Sequence, residues 1–65
     1  MKRRDLMREL ADLAAEHKVK WYLERQRAHE IWKFNGKTIP IPRHVEIKDP
    51  TANDIRKKCL ETLGL

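Results

Sequence analysis

Cysteine is almost missing from this chain, and Cys59 alone leaves no internal disulfide to form. A single thiol fits a reducing compartment, so a cytoplasmic protein is expected. Long apolar runs are missing too. Nothing approaches the roughly 20 residues of a membrane span. Lys2-Arg3-Arg4 resembles the charged start of a signal peptide, but no apolar run of about 7–15 residues follows it. The expectation is a protein without a membrane partner that stays where it is made. Metal-ligand spacing is lacking as well: His17, His29 and His44 are scattered, and Cys59 falls on an apolar helix face. No metal or other cofactor is expected. With only two glycines and three prolines there is no linker, no low-complexity segment and no repeat, so residues 1–65 read as one domain. A chain this short buries only about 60% of its unfolded surface. Its core supplies roughly 3–5 kcal/mol of net stability.

What the chain does have is positive charge, a net +5, and its placement is uneven. Residues 1–17 and 49–65 each balance acids against bases, whereas residues 18–48 carry eight bases against Glu24, Glu30 and Glu46. Localised positive charge is the electrostatic footprint of a phosphate-binding surface.

The pattern along the chain predicts helix, sheet, helix. Leu6, Leu10, Leu13 and Ala14 recur at helical spacing over Asp5–Glu16, beside an acidic stripe of Asp5, Glu9, Asp12 and Glu16. Val19 to Arg25 alternates as a strand. His29 to Phe34 and Lys37 to Ile41 flank Asn35-Gly36, which suits a two-residue type I′ hairpin turn. Pro40 points to an edge strand. After a loop over residues 42–50, Thr51-Ala52-Asn53-Asp54 matches a capped helix start. Ala52, Ile55, Cys59 and Leu63 line one face of that helix, and Gly64 stops it. The expected class is α+β: a three-stranded antiparallel sheet with two helices on one face.

The turn also assigns faces. With Asn35-Gly36 as the whole loop, Trp32, Phe34, Ile39 and Ile41 share the side that the helices cover. His29, Ile31, Lys33, Thr38 and Pro40 share the open side. Trp21 and Trp32 are expected in the core, and Tyr22 on the open face, where it is able to stack on a base.

These residues suit RNA chemistry. RNA carries its own nucleophile, the 2′-hydroxyl, so cleavage needs a base for that proton, an acid for the departing 5′-oxygen and cations for the phosphorane charge. Histidine suits both proton tasks, and Arg25, Arg27, Lys33 and Lys37 supply the cations. His29, expected near these bases on the open face, is a candidate for the proton transfer. Arg43 and His44 in the loop after the third strand are further candidates for phosphate binding, and Cys59 reads as core packing.

Four stretches resemble the HicA family of type II toxin–antitoxin systems: Lys2-Arg3-Arg4-Asp5-Leu6, Trp21-Tyr22-Leu23-Glu24-Arg25-Gln26, Ala28-His29-Glu30-Ile31-Trp32, and Ile39-Pro40-Ile41-Pro42-Arg43-His44. Together they span nearly the whole chain. The resemblance implies a fold like the double-stranded RNA-binding domain, with α-β-β-β-α order, and the activity of a metal-independent endoribonuclease that cleaves mRNA. It further implies a HicB-like antitoxin covering the active face, and His29 as the active histidine. Arg27-Ala28 stands where the family has glycine followed by serine or asparagine. That departure keeps a second reading open, a non-catalytic basic module that binds RNA or a partner protein.

Overall fold

The hairpin closed by Asn35-Gly36 organises the fold. Both turn residues have positive φ, 51° for Asn35 and 85° for Gly36, as a type I′ turn requires. A computed structural model describes residues 1–65, in the order α1 (Arg3–Glu16), β1 (Trp21–Gln26), β2 (Glu30–Phe34), β3 (Lys37–Ile41) and α2 (Asp49–Thr62). The three strands form one antiparallel sheet in chain order, with β2 central. The turn sets the register as expected: Phe34 pairs with Lys37, Trp32 with Ile39 and Glu30 with Ile41.

This register buries Phe34, Ile39 and Ile41 in one cluster with Leu6, Leu10 and Ala14 of α1 and Ala52, Ile55 and Cys59 of α2. Both helices therefore cover the same face of the sheet, and their apolar stripes are the ones their periodicity marks. Burial alone pushes the Cys59 thiol up to about 11, which makes it a packing residue. Trp21 and Trp32 only partly enter the core. They stack on each other at 4.5 Å, and Trp21 meets Phe34 edge-on at 5.8 Å.

Beyond shifts of one or two residues at the ends of α1 and β1, three features differ from the sequence expectation. β2 begins at Glu30, so His29 lies in the β1–β2 connection and not in a strand. β1 carries a bulge at Glu24: Leu23 pairs with Trp32, but Arg25 pairs with Ile31. The extra residue keeps Arg25 on the open face, where simple alternation from Tyr22 would have turned it toward the helices. Thr51 does not cap α2. The helix starts at Asp49, with Lys48 as N-cap and no side-chain cap. Proline is at home in a first helical turn, where its missing N–H costs nothing, and Asp49 there opposes the helix dipole. Gly64 does end α2, at φ 76°, with Leu65 N–H donating to Leu60 O and Gly64 N–H to Glu61 O, the paired bonds of a Schellman motif. No helix is long and apolar enough to cross a membrane.

Candidate nucleic-acid interface

One end of the sheet gathers half of the residues singled out in the sequence: Arg25, Arg27, His29 and Arg43. β1 ends at Gln26, which pairs with Glu30, and the loop Arg27-Ala28-His29 joins them. Arg27 N–H donates to the His29 carbonyl at 3.0 Å, folding this loop tightly. The neighbouring strand β3 ends at Ile41 opposite Glu30, so Arg43 emerges beside the same loop. Arg25, Arg27, His29 and Arg43 are all exposed. The His29 side chain makes no hydrogen bond, and polar contacts begin with the next residue.

That next residue, Glu30, anchors the site. Its Oε1 accepts from Trp32 Nε1 at 2.9 Å and from the Arg3 guanidinium, while Arg3 Nε donates to the Pro42 carbonyl at 2.9 Å. Arg3 thus ties the start of α1 to the start of β2 and the end of β3. The Trp32 hydrogen bond holds the Glu30 carboxyl below its usual range against the opposing effect of burial. The charge of Arg3, its hydrogen bond, and the charge of Arg43 add to that. A carboxyl lowered in this way stabilises the fold fully above its ordinary value near 4.5. That contribution disappears as pH falls through the lowered folded value. Urea midpoints of the wild type are therefore expected to drop below about pH 4.5 more steeply than those of Glu30→Gln. At neutral pH the variant is expected to be the weaker by about 0.5–1 kcal/mol, the usual worth of a partly solvated ion pair.

The remaining candidates lie elsewhere. Tyr22 and Lys33 pair across β1 and β2 on the open face. Tyr22 is 46% exposed, available for stacking. Lys33 is already engaged: its Nζ donates to Thr38 Oγ1 at 2.6 Å and lies 3.8 Å from Glu24. Lys37 pairs with Phe34 beside the Asn35-Gly36 turn, at the opposite end of the hairpin from His29. Strand rise puts it about 13 Å from Glu30, on the side of the sheet that the helices cover. His44 lines a separate cleft with Pro42, Glu46, Ile47, Lys48 and Thr51, next to the start of α2. His17 is the C-cap of α1, remote in sequence and role from the loop.

Sequence reasoning missed Arg3, because residues 1–17 are neutral in sum and only the fold carries Arg3 to Glu30, 27 positions away. No group of histidine, cysteine and carboxylate side chains is arranged to hold a metal ion. Compared with known proteins, the chain matches no protein-family model, no curated protein and no solved structure, so a functional reading rests on these residues and their placement.

Proposed function

We propose that this chain is an RNA-cleaving toxin of the HicA type, an endoribonuclease in which His29 moves the proton. One observation carries the reading: an exposed imidazole without a hydrogen-bond partner lies in the loop between Gln26 and Glu30, at the end of the sheet where the backbone also brings Arg25, Arg27 and Arg43. In the proposed reaction the 2′-oxygen attacks the adjacent phosphorus as His29 takes the hydroxyl proton. The P–O5′ bond breaks, and the departing 5′-oxygen takes a proton from the imidazolium that His29 has become, directly or through water. The products are a 2′,3′-cyclic phosphate and a 5′-hydroxyl. The arginines balance the charge that builds on the phosphorane oxygens. The strand runs on across the open face, where Tyr22 offers an aromatic platform. Lys37 and His44 lie off this path.

A cell that keeps such a protein needs an inhibitor. An acidic, HicB-like antitoxin that covers the basic sheet end would compete with RNA and stabilise a small domain by linkage.

A second reading, a module that binds RNA or a partner protein without cleaving, is favoured by one feature. Nothing fixes the tautomer or orientation of the His29 ring. Induction in a host separates the two. The catalytic reading expects growth arrest and mRNA decay from the wild type, neither from His29→Ala, and rescue by a co-expressed antitoxin. Equal arrest by both proteins would favour the binding module.

A further inference from the structure

The first turn of α1 and the loop after β3 enclose a cleft of about 300 Å³ lined by Lys2, Arg3, Arg4, Arg43 and Val45. Backbone pairing builds it: Arg3 N–H donates to Val45 O at 2.8 Å, Ile47 N–H donates to Met1 O at 2.8 Å, and Lys2 bridges Glu46. The N-terminal segment thus lies as a short strand against residues 45–47, and these main-chain bonds bring the cationic side chains on either side together.

Little neutralises them. Arg3 is committed to Glu30, and Arg4, 78% exposed, has only a 4.0 Å contact with Asp5. Lys2 and Arg43 form no ion pair, and no carboxylate lines the cleft. The nearest acid on the same face of α1 as Asp5, Glu9, is drawn away to Arg56. With Arg3 paired to Glu30, the like charges of Lys2, Arg4 and Arg43 around one concavity still repel one another, and their mutual repulsion is relieved by an anion with several acceptor oxygens. A phosphate has that form. The exposed Val45 on the rim, 75% accessible, adds an apolar edge beside the charge.

The cleft adjoins the candidate active loop through a shared residue, since the Arg3 on its wall holds the Glu30 that follows His29. We propose that the cleft is a phosphate-binding site for the RNA strand, taking a backbone phosphate outside the scissile one and so aligning the strand at His29. This rests on the reading of the chain as an RNA-acting protein. Lys2 and Arg4 would be positioning residues, touching the strand but not the reacting atoms.

The test uses the full chain and a single-stranded RNA oligonucleotide, with affinity measured from 50 to 200 mM salt. The slope of log K against log salt is expected to shrink by roughly 0.7 in Lys2→Gln/Arg4→Gln for one lost phosphate contact. Over that salt range the variant then loses roughly 2.6-fold less affinity than the wild type. KM is expected to rise with kcat kept, a split that a merely structural role would not give. Lys57→Gln on α2 serves as the control and should leave the slope alone. Backbone amide shifts of wild-type residues 2–4 and 43–45, with the oligonucleotide and with inorganic phosphate alone, decide the matter even if the double variant fails to fold. Shifts with RNA support the site. Shifts with inorganic phosphate but none with RNA mark a free-anion site and overturn the RNA assignment. RNA binding by the wild type with an unchanged slope in the folded double variant and silent cleft amides overturns this proposal alone. No RNA binding by the wild type at any salt overturns it together with the functional reading.

Discussion

Replacing His29 by alanine is expected to lower kcat for RNA cleavage by about 10²–10⁴-fold, the usual worth of a positioned general acid–base group. Binding and folding should be nearly unchanged. The reason lies in the side chain's surroundings. His29 is exposed, its imidazole accepts and donates no hydrogen bond, and the loop is held by the Arg27 amide and the His29 carbonyl, which alanine keeps. The Glu30 anchor also remains, because its partners are Arg3 and Trp32. His44→Ala and His17→Ala should be far milder, as His44 lines another cleft and His17 closes α1. Single-turnover kinetics on a defined oligonucleotide, with circular dichroism of each variant, checks all three. A folded His29→Ala that keeps most of its rate would remove His29 from the reaction.

The second large effect is on folding. Phe34→Ala removes a fully buried ring from the central strand, where it packs with the apolar stripes of both helices and meets Trp21 edge-on. Truncating such a residue costs about 3–5 kcal/mol, as lost burial and cavity add together. A domain of this size has roughly 3–5 kcal/mol in all, so the variant is left near zero stability, with about half or more of it unfolded at 25 °C. Urea unfolding followed by circular dichroism would show a transition shifted to near zero denaturant or lost. A folded variant with a wild-type midpoint would mean that the core is not centred on Phe34. Phe34→Ala and His29→Ala should thus lose activity by separable routes, the first through folded population and the second through the chemical step.

The parts of this fold that were legible in the sequence are those set by local rules. Asn35-Gly36 suits a two-residue turn with positive φ at both positions, and such a turn dictates the pairing of every residue from Glu30 to Ile41. The helix faces follow from spacing alone. The misreadings have local causes too. Asp49-Pro50 suits both the end of a loop and the first turn of a helix, and here it forms the first turn of α2. The bulge at Glu24 carries no glycine to announce it; only the paired strand reveals that Arg25 and not Glu24 faces Ile31. Long-range features were invisible for a different reason. Counting charge by segment hides Lys2, Arg3 and Arg4 behind the acids of their own helix, of which only Asp5 comes near them once α1 is folded, while Glu9, Asp12 and Glu16 line a different cleft with Arg56. Lys37 looked equivalent to Lys33 in a list of bases, yet the hairpin separates it from the loop by the length of a strand.

The central claim, that this chain cleaves RNA through the strand's own 2′-hydroxyl at His29, is tested most directly by the ends it leaves. Purified protein incubated with single-stranded RNA should yield fragments bearing 2′,3′-cyclic phosphate and 5′-hydroxyl termini, and His29→Ala should yield none. RNA that is bound but stays intact, or fragments that begin with a 5′-phosphate, would contradict the account.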